Sequence, residues 1–151
     1  MESLTNVYLL VFIPIVVALV YSFYIMGWLK GQPAGSEKMQ QISKAIQEGS
    51  SAYLHRQSKT VGIVALVLFI AIGFLLSWTA AIGFLVGAVF SGLAGYIGML
   101  VSVRANAKTA QAATRGLAPS LSLAFKAGSV TGFLVAALGL LAVAGFYAYT
   151  G

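Results

Sequence analysis

Residues 95–117 read GYIGMLVSVRANAKTAQAATRGL. The first half is the end of an apolar helix with glycines spaced along it. The second half carries Arg104, Lys108 and Arg115 with no acid among them. A second apolar stretch follows from Pro119. An uncharged helix that runs into a basic segment and returns as another uncharged helix is a membrane span turning round on its positive side. This one stretch therefore sets both the class of the protein and the orientation of its helices.

Composition agrees. Of 151 residues, 60% are hydrophobic and 8% are charged. A soluble domain carries about 25% charged residues, enough to cover a water-facing surface. This chain does not have that surface, so the expectation is an all-α, polytopic membrane protein. The net charge is +6, and all the basic residues flank apolar spans. Lys30, Lys38, Lys44, Arg56 and Lys59 lie in one segment; Arg104, Lys108 and Arg115 lie in another; Lys126 opens the last span. Nucleic-acid binding would need such charge on a groove-facing surface. Here contact with anionic lipid headgroups and topology are the expected roles, with the lipid bilayer as partner and no nucleic acid.

Outward from the opening stretch, the third span covers 81–103. In it Gly83, Gly87, Ser91 and Gly95 recur every four residues. Such a small-residue stripe lets helix backbones approach closely in lipid. The second span covers 60–78, with Trp78 at its outer end and a very short connection, Ser77 to Ala80. Two spans joined so tightly are antiparallel neighbours. Before them, 30–59 is polar. KGQPAGS (30–36) is a linker, Ser36 suits an N-cap, and Glu37 suits the first helical turn. Met39, Ile42, Ile46, Gly49 and Tyr53 then step by three and four, the single apolar face of an amphipathic helix. It is expected either to lie on the membrane surface or against a neighbour, or to extend the second span into the cytoplasm. The first span covers 7–29; Pro14 is a possible kink, and Tyr21, Tyr24 and Trp28 form an interfacial group near its end. The chain begins with the acidic Glu2 where a signal peptide has a positive start, and the apolar run is too long for a cleaved one, so 7–29 reads as a true span.

Downstream, 104–118 is rich in Ala, Lys, Gln and Thr and suits a short helix ended by Gly116. Pro119 suits the first turn of the fourth span, 120–149. In that span Gly128, Gly132 and Ala136 step by four, with Gly139 and Gly145 adding small surface. Lys126 lies about two turns inside, a default suspect for function. It is also near enough to the basic end to snorkel to the interface. The two basic segments are separated by two spans and share a side. The positive-inside rule makes that side cytoplasmic and puts both termini and the 77–80 turn outside.

The inventory for chemistry is thin. Cysteine and aspartate are absent, and the acids are Glu2, Glu37 and Glu48. His55 is the single histidine; with no further ligand beside it, it reads as an interfacial side chain rather than a metal ligand. No nucleotide-binding glycine motif and no Ser/His/Asp set is present. The expected catalytic, cofactor-binding and metal-binding residues are none. From the residues alone this is a four-span bundle whose task is open.

Three stretches add a resemblance. AIQEGSSAYLHRQSKT (45–60) resembles the AI-x-EG-x-x-AYL-x-RQ-x-KT segment of membrane-bound inorganic pyrophosphatases, the pyrophosphate-energised ion pumps. GYIGMLVSVRANAKTAQAATRGL (95–117) is similar to the same family's GxxGM…AN-x-[RK]-T-A-x-A segment. AFKAGSVTGFLVAALGLL (124–141) resembles its AF-R-x-G-AV-x-G…GLL segment. Order and spacing agree, and nearly the whole chain, 1–151, is covered. Two positions depart: Ser58 stands where the family often has an aromatic residue, and Lys126 where it usually has arginine. Arg and Lys are not interchangeable at bidentate sites, so no polar network around 126 is carried over.

The resemblance implies a single N-terminal four-span segment, 1–151, of a much longer pump that couples pyrophosphate hydrolysis to proton or sodium translocation. In that family these spans belong largely to the outer ring of helices. The full-length family uses Mg2+ held by repeated aspartates, with K+ dependence varying. The implied partners are pyrophosphate, the remaining transmembrane helices and a second copy in a homodimer. With no aspartate, this segment is expected to bind no cofactor and to be inactive alone. Two other classes compete. A stand-alone, non-catalytic scaffold or accessory subunit would use the small-residue stripes as surfaces. A small channel would rest on Lys126 and the glycine stripe.

Overall fold

The computed structural model describes residues 2–150, with side chains from Tyr8 onward. The side chain of Glu2, used above against a signal peptide, lies outside the described residues. Four helices account for nearly all of the chain: α1 (Glu2–Lys30), α2 (Glu37–Leu75), α3 (Trp78–Ala113) and α4 (Leu117–Thr150). All four are long and apolar enough to cross a membrane. The all-α, four-span expectation is met.

The helices run beyond the spans expected within them, at three places. The amphipathic stretch from Glu37 and the second span are one unbroken helix of 39 residues, about 58 Å at 1.5 Å per residue. A bilayer core takes about 30 Å, so the N-terminal half projects beyond it. The amphipathic stretch is thus a continuation of the helix that holds the second span. Similarly, 104–113 forms no separate short helix but continues α3. Every residue there is a helix former or helix-tolerant, so nothing stops the backbone ladder until Gly116, whose φ of +125° ends the turn. Trp78 begins α3 and does not end the second span; the connection is Leu76 and Ser77.

Local chemistry fixes the ends. The Ser36 side chain accepts from the Met39 N–H at 3.4 Å, with Glu37 in the first turn as expected. Ser77 does the same for α3, accepting from the Ala80 N–H at 3.1 Å. Each serine satisfies an otherwise orphan donor at a helix start. At the hairpin, a Cβ on Gly73 would sit 2.8 Å from the Trp78 ring. The bare glycine lets the indole fold back on α2, where Phe69 and Phe74 meet it edge-on.

Neighbours run in the order α2, α3, α4, α1. The short turns make α2, α3 and α4 successive neighbours, while α1 crosses past α2 to pack on α4. The buried positions explain this. Their continuous runs are Ile15, Ala18, Ser22, Ile25 and Leu29 on α1; Leu123, Ala127, Val130, Leu134 and Ala137 on α4; and Ala94, Gly98, Val101 and Ala105 on α3, with Ala81, Ala112 and Ala142 buried beyond these runs. All three sets step by alternating threes and fours, the spacing of a seam that stays between packed helices. Gly98 is the closest approach: a Cβ there would lie 2.7 Å from Thr131 Cγ2. On α2 only Leu54 and Gly73 are buried.

Candidate functional site

Polar side chains from three helices gather at the basic end, where α1 stops. The last carbonyls of any helix lack intrahelical partners and carry the negative end of its dipole. Here one lysine from another helix meets them. Lys108 Nζ, on α3, donates to the carbonyls of Leu29 at 2.7 Å, Lys30 at 3.0 Å and Gln32 at 2.9 Å. An ammonium has three donors, and all three are used. Lys108 lies beyond the apolar span on the α3 extension. Burial lowers its pKa from the ordinary lysine value, while the three carbonyls favour the charged form. The residue therefore staples α1 to α3, a role that its place in a basic segment did not reveal.

A second set of contacts joins α1 to α4, from the end of α1 inward. Lys126 Nζ sits 4.4 Å above the Trp28 ring. This is a cation–π contact, worth about 0.5–2 kcal/mol depending on exposure. Tyr21 OH lies 3.2 Å from Ser129 Oγ, and the Tyr21 ring meets Phe133 edge-on at 4.9 Å. The intramembrane lysine singled out from the sequence is thus placed against an aromatic ring at the end of α1.

Between the end of α1, the start of α2 and α3 lies a cavity of about 760 Å3. Lys30, Lys44, Arg104 and Lys108 line it, and no carboxylate does. Its floor is apolar and comes from Phe23, Met26 and Val101. A second, wider gap of about 1190 Å3 separates α2 from α3 near mid-span, lined by side chains such as Val61, Leu68 and Leu85 together with Gly92 and Gly95.

Elsewhere the chemistry-bearing residues stay apart. His55, Glu37 and Glu48 are all exposed. Among the described residues no three His, Cys, Asp or Glu side chains gather where they could hold a metal ion. The carboxylates present do not fit the oxygen-rich shell that magnesium requires.

The small-residue stripes divide in a way their spacing did not foretell. Gly83 does meet Phe146, whose ring would lie 2.9 Å from a Cβ there. Gly87 and Gly95 on α3, and Gly128, Gly132, Gly139 and Gly145 on α4, have nothing within 4 Å of such an atom. At these six positions the stripes face open space within this chain.

Comparison with known proteins agrees with the three motif stretches. A family model described as Inorganic H+ pyrophosphatase matches residues 16–151. A K(+)-insensitive pyrophosphate-energized proton pump of Methanosarcina mazei is 44% identical over 128 residues, covering 83% of this chain and 19% of that protein. A second pump of the same description, from Moorella thermoacetica, is 39% identical over 138 residues, covering 90% of this chain and 20% of that protein. A Clostridium tetani protein, described provisionally as a K(+)-stimulated pyrophosphate-energized sodium pump, is 34% identical over 117 residues, covering 78% and 17%. The chain spans about a fifth of the length of these relatives.

Proposed function

The chain belongs to the inorganic H+ pyrophosphatase family, and we propose that it is the N-terminal four-span unit, residues 1–151, of a pyrophosphate-energised ion pump. Its relatives are ion-translocating pyrophosphatases, and the chain is an integral membrane protein with four spanning helices. In this reading the whole pump hydrolyses pyrophosphate with Mg2+ and moves protons or sodium ions, working as a homodimer. Relatives described as both K(+)-insensitive and K(+)-stimulated leave either potassium behaviour open to it.

One observation carries the division of labour. The family match runs through nearly the whole chain, yet the sequence has no aspartate and its glutamates stand apart and exposed. A metal-assisted displacement of phosphate needs carboxylates that place the ions around the reacting oxygens. This segment therefore supplies frame and topology, and helices outside it supply the chemistry. The basic ends of α1, α3 and α4 face the cytoplasm, and the Leu76–Ser77 turn faces out.

The test is reconstitution in vesicles. The chain alone should show no pyrophosphate hydrolysis; the chain joined to the following membrane segment of its gene should show pyrophosphate-dependent ion uptake. Hydrolysis by the chain alone would overturn the division of labour. A stable oligomer with no rescue of uptake would favour the scaffold reading. Orientation is read separately: the chain has no cysteine, so single cysteines at exposed Thr79 and Arg115 can be labelled from either side. Thr79→Cys should react from outside and Arg115→Cys only after permeabilisation.

A further inference from the structure

We propose that the cavity at the end of α1 binds the phosphodiester headgroup of an anionic phospholipid. The assignment does not depend on the pump reading; it needs only that the helices cross a membrane.

The walls are cationic and come from three separate elements. Lys30 ends α1, Lys44 stands on the α2 extension, and Arg104 stands where α3 leaves its apolar span. Lys108 adds charge, but its donors are committed to the α1 carbonyls. The free donors are thus Lys30, Lys44 and Arg104. Glu48, one turn from Lys44, does not line the cavity. An anion placed there meets positive charge on three sides and no carboxylate. A guanidinium beside two ammonium groups suits a phosphate, which Arg can hold through two parallel hydrogen bonds.

Depth and floor select a lipid over a free anion. Trp28 and Lys126 pair at the same end of the bundle, the level at which amphipathic rings and snorkelling lysines meet headgroups. The floor, Phe23, Met26 and Val101, belongs to the ends of the apolar spans. Phe23 is 66% exposed. An acyl chain descending from a bound headgroup would lie along that surface. A free phosphate would gain nothing from it. The volume, about 760 Å3, falls within the roughly 300–1,000 Å3 usual for small-molecule sites.

The experiment is native mass spectrometry of the chain from neutral-detergent micelles containing equal phosphatidylglycerol and phosphatidylcholine. One phosphatidylglycerol should be retained in preference to phosphatidylcholine. Lys44→Gln and Arg104→Gln should each weaken retention about fivefold, the effect of one basic residue at an anionic surface. Arg104→Lys should lose less than Arg104→Gln. Arg115→Gln, basic but outside the cavity, should change nothing. Circular dichroism checks that each variant keeps its helices, and Lys30→Gln gives the same reading should Arg104→Gln not fold. Equal retention of the two lipids, or an equal loss in Arg115→Gln, would overturn the site. Displacement of the lipid by millimolar inorganic phosphate would overturn the lipid assignment in favour of a free-phosphate site.

Discussion

The seam shared by α1, α3 and α4 and the outward faces of α3 and α4 are built from similar residues yet behave in opposite ways. In the seam, Ile25 and Leu29 of α1 and Val101 and Ala105 of α3 meet Ala127, Val130 and Leu134 of α4 with almost no exposure, and Gly98 lies against Thr131. On the other faces, Gly87, Gly128 and Gly132 look into open space, and Gly95 into the gap between α2 and α3. The seam alternates steps of three and four, while the outward stripes step by four. In lipid, hydrophobic expulsion does not drive helices together, so close backbone approach must do so. A stripe of glycine is a capacity for such approach. Whether it is used depends on which helices are present, and four-fifths of a relative's length is absent from this chain.

The sharpest way to break the contrast is at Gly98. A Cβ there would collide with Thr131, a β-branched side chain with little rotamer freedom. Gly98→Val should therefore cost about 3 kcal/mol, the upper range for overpacking a tight core. Unfolding of the detergent-solubilised chain by SDS titration, followed by circular dichroism, would read it. An effect no larger than that of valine at Gly87 would mean that the seam is not where the bundle is held.

Next in size is Lys108→Met, which keeps the length of the side chain and removes its charge. Three carbonyls at the end of α1 lose their donor. The expected cost is about 2 kcal/mol, typical of a charged hydrogen-bonding group removed from a partly buried site. It should show as faster protease cleavage within the linker 31–36 while α3 and α4 stay protected. Uniform destabilisation of all four helices would argue against a local staple.

These two residues also mark what could be read from sequence. Four helices long and apolar enough to span, the N-cap at Ser36 and the stop at Gly116 all follow from local chemistry, and the structure has them. Gly98 and Lys108 did not stand out. Along α3 nearly every side chain is apolar or small, so hydropathy does not tell a lipid-facing residue from a packed one. The four-residue stripe at Gly83, Gly87, Ser91 and Gly95 follows a mostly open face, and Gly98 lies one position off its course. Lys108 looks like any cation of a basic segment until the end of α1, 79 residues earlier, is brought beside it. The aromatic partner of Lys126 was equally hidden, because Trp28 lies on a helix that packs out of sequence order.

A smaller effect is expected at Gly73→Ala. The added methyl meets the Trp78 ring at 2.8 Å, but the ring stands at the outer end and can tilt away. The cost should be about 1 kcal/mol, at the low end for overpacking. In a Trp28→Phe background the emission of Trp78 alone would report the tilt as a red shift. No shift, together with unchanged stability, would mean that the indole is not clamped against α2.

The smallest effect is the most instructive, because its sign should change with the length of the protein. Gly132 has nothing within 4 Å of where a Cβ would be, and so does Gly128. In the chain alone, Gly132→Ala removes a flexible residue from a helix interior and fills no occupied space. It should be neutral or stabilising, by up to about 1 kcal/mol. In the longer protein the same methyl group would enter any interface made by the four-residue stripe, where backbones approach too closely to accept it. There it should lower stability or ion uptake. A stripe that tolerates alanine and then leucine in both contexts faces lipid alone, and the outward glycines would then have no part in assembly.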